Sequence, residues 1–189
     1  MPTLHITGDE TADELLSEDA FSLVVGMLLD QQYKMEDAFK GPQKLRARLG
    51  HVDPGRIAAM DPEEFKIVAS QPPAIHRFPG SMSTKVHALA QIVVGEYDGD
   101  ASRIWTEAKD AKDLLRRMQA LPGFGKQKAQ IFVALLAKQV GVRPEGWEQV
   151  VGDYSLEGYR SVADVVSPES LQKVREYKQQ KKAAAKAAG

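Results

Sequence analysis

The chain has 189 residues, 43% of them hydrophobic, a formal net charge of −1 and no cysteine, which suits one globular unit or two small lobes with a real core. The lack of thiols excludes disulfides, thiolate zinc sites and a cysteine-ligated iron–sulfur cluster. The longest apolar run, Leu23 to Leu29, is far too short to cross a bilayer and the acidic N-terminus is unlike a signal peptide, so the expectation is a cytoplasmic monomer.

Taken in order, Leu4-His5-Ile6 is either a tail or a brief extended piece, and Thr11 with Glu14 fits a capping box for a first short helix. A second helix is expected from about Ser17 through Phe21, Val24, Val25, Leu28 and Leu29, apolar enough to be central. It ends in Asp30-Gln31-Gln32-Tyr33, where two amides at a helix end also suit an ordinary polar terminus. Short helices follow, punctuated by Pro42, Gly50, Asp53-Pro54 and Asp61-Pro62. Gln71 to Gly80 reads as a stiff proline-rich loop carrying His76, Arg77 and Phe78, with strand contact or surface packing as its alternatives. Ser81 or Ser83 is expected to cap a longer helix with Val86, Leu89, Ala90, Val93, Val94 and Tyr97 on one stripe.

A helical run from Asp110 to Ala120 then stops at Pro122-Gly123, and a second starts after Gly125 with Ala129, Phe132, Val133, Leu136 and Val140. The result is a helix, a tight glycine hairpin and a helix. The glycines let the chain reverse while amide N–H groups stay exposed at the start of the second helix, a nest suited to an anion such as a phosphate diester. Charge agrees: Leu114 to Arg143 contains Arg116, Arg117, Lys126, Lys128, Lys138 and Arg143 and no acid, whereas residues 1–30 contain Asp9, Glu10, Asp13, Glu14, Glu18, Asp19 and Asp30 and no Lys or Arg. Beyond Val140, Gly141 to Gly152 reads as a broken connector with Trp147 as a packing residue, and Ser167-Pro168 starts a last helix. Its Lys/Ala-rich end, 183–189, either extends the helix or stays unstructured, and the lysines from 178 on are salt-sensitive DNA contacts or a solvated tail.

The string Leu121-Pro122-Gly123-Phe124-Gly125, with Ala129 four residues after the second glycine, resembles the hairpin of the helix-hairpin-helix/Gly-Pro-Asp DNA glycosylase superfamily. Leu28-Leu29-Asp30-Gln31-Gln32 and Ser83 to Ala90 resemble neighbouring segments of that superfamily, closest in flavour to 3-methyladenine DNA glycosylase II. The resemblance implies an all-α protein of about nine or ten helices in two lobes: a helical-barrel lobe over roughly 34–140, a second from 1–33 plus 141–182, and DNA in the cleft between them. It implies contacts to double-stranded DNA from Gly123, Phe124, Gly125, Lys126 and Lys128, with Gln32 toward the minor groove. It further implies a K+ or Na+ ion on the Leu121 to Gly125 carbonyls, with no other cofactor.

Hydrolysis of a base–sugar bond passes through an oxocarbenium-like state, which calls for a carboxylate beside the flipped nucleotide. By the family pattern an aspartate belongs about 25 residues beyond the Leu-Pro-Gly start, where this chain has Glu145. Asp153, in a Gly-Asp element 32 residues beyond Leu121, is the first candidate and Asp164 the second, each with an ordinary reading as a turn former or cap. Strand-cleaving members place a lysine where this chain has Gln127, and an amide forms no Schiff base, so base excision without lyase activity is implied. The four histidines lack ligand spacing, and no catalytic metal is expected. The rival expectations are a noncatalytic DNA-binding protein and a helical interaction protein whose hairpin packs only on itself.

Overall fold

The computed structural model describes residues 3–189 and contains helices, turns and loops but no strand among them. α1 (Glu10–Glu18) is capped by Asp9, whose carboxylate accepts from Ala12 N, so the expected Thr11 box is displaced by the residue two places earlier. α2 (Ala20–Leu29) is capped by Asp19 and buries every residue from Phe21 on. Such a helix has no solvent face, and its position in the middle of the core follows. Gly26 lets α3 approach α2, because a Cβ there would fall 2.5 Å from the Phe39 ring.

α3 (Met35–Phe39), α4 (Gly41–Leu49), α5 (Pro54–Ala59) and α6 (Pro62–Ser70) are short, and α7 (Pro79–Tyr97) is long. Asp53 and Asp61 cap α5 and α6 with proline at the first helical position, as expected. α7 begins two residues earlier than Ser81. Pro79 is its first residue, and Ser83 instead returns its hydroxyl to Gly80 O at 2.9 Å. α5 and α6 lie along α7, and α2 packs on α1, α3, α4 and α7.

After a turn at Asp98-Gly99 come α8 (Arg103–Thr106), α9 (Ala111–Gln119) and α10 (Lys126–Leu135), the last continued by a π turn over Leu136–Val140. The expected connector 141–152 contains a further helix, α11 (Trp147–Val151), followed by 3-10 turns at Gly152–Ser155 and Val162–Asp164. α12 (Pro168–Ala188) carries the Lys/Ala segment as continuous helix. Helix-on-helix packing groups α1 to α7 together and sets α9 to α11 with both 3-10 turns around α10. The change from one grouping to the other falls near Asp98. One hydrophobic cluster nevertheless runs from Leu4 to Val174 through both groups. No helix among the described residues is long and apolar enough to cross a membrane.

Candidate functional site

The hairpin forms because α9 ends at Ala120 and Gly123 takes φ +78°, a left-handed conformation that favours glycine. Leu121 N donates to Met118 O and Phe124 N to Leu121 O, which closes the turn. Gly125 is the N-cap of α10 and supplies no side chain, so the amides of Lys126, Gln127 and Lys128 have no acceptor among the described residues. A Cβ at Gly125 would meet nothing within 4 Å. The mouth of the nest is therefore open, and its amides carry the positive end of the helix dipole.

The side chains around the nest differ from expectation in two places. Phe124, expected at the DNA, is 5% exposed and stands edge-on to Phe132 at 6.3 Å, so its ring is a core anchor and only its backbone belongs to the hairpin surface. Lys128, expected to reach a phosphate, turns inward: Nζ donates to Leu28 O at 2.8 Å and to Gln31 Oε1 at 3.3 Å. Burial lowers its pKa to about 8, against the opposing pull of Asp30. Residues two apart on a helix point about 200° from each other, and the end of α2 docks on the Lys128 side. Lys126 stays exposed, and Lys128 faces the end of α2.

The loop after α2 is fixed from both sides. His76 is buried, its Nδ1 accepts from Phe78 N at 2.9 Å and its Nε2 contacts Gln31 O at 2.8 Å, an arrangement that needs the neutral Nε2–H tautomer. Burial accordingly lowers the His76 pKa. With Lys128 on one flank and His76 on the other, Gln32 is held exposed at φ +53°, a conformation disfavoured for a residue with a Cβ. Strain of this kind concentrates at functional loops. Next to it Arg77 lies over the exposed Phe78 ring at 5.3 Å.

In the sequence Asp30 stands out only as part of the Leu-Leu-Asp-Gln-Gln string. Its side chain is 9% exposed and Lys178 Nζ of α12 is 3.9 Å away. Burial raises its pKa, opposed by Lys178 and Lys128. A buried carboxylate between two lysines ties the end of α2 and the start of α10 to the middle of α12; nothing in local spacing foretells this, because the three segments are distant in sequence.

The segment after α10 decides where the carboxylates stand. Glu145, at the family spacing, has its carbonyl bonded by Ala111 N at the start of α9. α9 has nine residues and rises about 13 Å, so Glu145 lies at the far end of the helix pair from the hairpin. The extra residues form α11, which returns along α10: Gln130 Nε2 donates to Val150 O at 2.9 Å, and Gln127 Nε2 to Tyr154 Oη at 2.9 Å. Asp153 is thereby carried to the hairpin end of α10 on an exposed 3-10 turn, its carboxylate bonded to nothing among the described residues. Tyr154, beside it, escaped the sequence reading; its only signal is adjacency to the Gly-Asp element.

Asp164 has a different environment. Its carboxylate accepts from Lys138 Nζ at 2.8 Å, from Arg160 N at 2.8 Å and from Ser161 N at 3.3 Å, completing a capping box with Ser161. Lys138 and Gln139, adjacent in the π turn, both reach this segment: Lys138 Nζ also donates to Leu156 O at 2.7 Å, and Gln139 Nε2 to Ala163 O at 2.7 Å. Asp164 is a clasp, occupied on both oxygens.

No three His, Asp or Glu side chains gather as a metal site among the described residues. A search of curated proteins finds no match to the chain. Residues 25–188 match the HhH-GPD superfamily of base excision DNA repair proteins, and with an open amide nest on an all-helical frame the chain belongs to that superfamily.

Proposed function

We propose that this base excision repair protein is a monofunctional DNA glycosylase with Asp153 as its carboxylate. The observation that carries the proposal is the return of α11 along α10, which sets Asp153 beside the Gln127–Tyr154 pair at the hairpin end. Duplex DNA would be held by the Lys126 to Lys128 amides, the Gly123-Phe124-Gly125 backbone and the Lys126 ammonium, contacts that position without reading sequence. Gln32 would fill the space left by a flipped nucleotide, which its exposed, strained loop supports. A K+ or Na+ on the Leu121 to Gly125 carbonyls would add positive charge facing the phosphate.

In the reaction the C1′–N bond breaks with its electron pair leaving on the damaged base. The Asp153 carboxylate faces the positive sugar, orients a water whose oxygen bonds C1′, and takes its proton before releasing it to solvent. Gln127 holds Tyr154 and offers no amine, so no Schiff base forms there and the strand stays intact. Lys128 has the lowered pKa of a reactive amine, but its Nζ is committed to Leu28 O.

Mass spectrometry of bases released from alkylated, deaminated and oxidised duplexes tests this, with Asp153→Asn and Asp164→Asn as comparisons. Release lost in folded Asp153→Asn supports the assignment. The 32-residue spacing and the exposed, unsupported Asp153 carboxylate favour one alternative, a noncatalytic protein that binds damaged or distorted duplex DNA. Tight binding to an abasic-site duplex with no base released from any substrate would select it.

A further inference from the structure

The end of α12 buries none of its residues. Val174 is its last buried residue, yet the helix runs on to Ala188 with residues 179–188 all exposed. Glutamine, lysine and alanine are strong helix formers, which explains the helix. Propensity does not explain the placing of the charges. Lys178, Lys182 and Lys186 stand at i, i+4 and i+8 on one face with Lys181 beside them, and no acidic side chain follows Glu176. Like charges at this spacing repel.

Two contacts aim this face. Lys178 Nζ lies 3.9 Å from Asp30, and Lys181 Nζ lies 5.7 Å from the centre of the Tyr154 ring, whose hydroxyl accepts from Gln127 at 2.9 Å. One tyrosine thus separates α12 from the first turn of α10, where the free amides emerge. Among the described residues Lys181, Lys182 and Lys186 form no ion pair. Only alanine and glutamine lie between them, a surface for a hydrated polyanion and not for an apolar partner.

We propose that the Lys178 to Lys186 face of α12 is a second phosphate-binding surface, holding the DNA strand as it leaves the hairpin; this rests on the reading that the hairpin binds duplex DNA. Lys178 is the anchor, and Lys181, Lys182 and Lys186 make the contacts. From Lys181 to Lys186 the helix rises about 7.5 Å, roughly two base-pair steps of rise along a duplex axis.

Fluorescence anisotropy on a labelled duplex, across a salt series, tests it with wild type, the triple variant Lys181→Gln, Lys182→Gln, Lys186→Gln, and Gly125→Ala. The triple variant is expected to keep its circular dichroism spectrum and to lose about 2 to 3 from the slope of log affinity against log salt, with affinity at low salt at least about tenfold weaker. A triple variant with wild-type slope and affinity, beside a weakened Gly125→Ala, overturns the α12 surface and leaves the hairpin reading standing. Wild-type binding by both variants removes both.

Discussion

Asp153 and Asp164 lie eleven positions apart on one segment, and the fold treats them oppositely. Asp164 has a side chain 8% exposed, with Lys138 and two backbone amides on its oxygens, while Asp153 stands on an exposed turn and bonds to nothing among the described residues. A carboxylate whose lone pairs are taken by a clasp cannot also face a sugar and take a proton from water. The difference teaches that availability, not residue type or the residue before it, separates a candidate catalytic acid from a structural one.

Asp153→Asn should reveal the largest gap between them: base release falling about 100-fold or more, with unfolding free energy within about 0.5 kcal/mol of wild type. Undiminished release would break the comparison at once. Asp164→Ala should do the reverse, costing about 2–4 kcal/mol in urea denaturation because Lys138 is left partly buried without its partner. A stable Asp164→Ala protein that has lost base release would exchange the two roles.

The same logic sharpens at the two hairpin glycines. Gly123→Ala forces a side chain into φ +78° and should lower stability by about 1–2 kcal/mol. Gly125→Ala places its methyl in open space before the nest, so calorimetry should find stability within about 0.5 kcal/mol while duplex affinity drops about tenfold, near the worth of one charge-assisted hydrogen bond. Equal affinity in Gly125→Ala would show that nothing binds there.

A pH-dependent effect belongs to Lys128. Its folded pKa, about 8, lies below the unfolded value of about 10.4, so between those pH values the unfolded chain holds the extra proton. Stability from this group therefore rises as pH goes from about 8 to about 10.4. Denaturation at pH 7.5 and 10 should show that rise in wild type relative to Lys128→Met, and an identical pH response would mean that Nζ is solvated.

Much of the framework is readable in the residues. Asp53-Pro54, Asp61-Pro62 and Ser167-Pro168 state helix starts whatever surrounds them, because capping and the fixed proline φ are local. Leu121 to Gly125 likewise states its turn, since only glycine takes φ +78° there without strain. Short α11 was read as a connector because five residues carry too little periodicity to be seen.

By itself, then, the sequence determined the all-helical class, the hairpin with its open amides, and a lysine-free position at Gln127, each a matter of nearest neighbours along the chain. Tertiary structure alone decided that Phe124 and Lys128 face inward, that Asp30 is buried between two lysines, and that α11 carries Asp153 to the hairpin while Lys138 claims Asp164. Those outcomes depend on which segments meet across about 15 to 150 residues of chain, and burial, partners and proton affinity exist only once they have met.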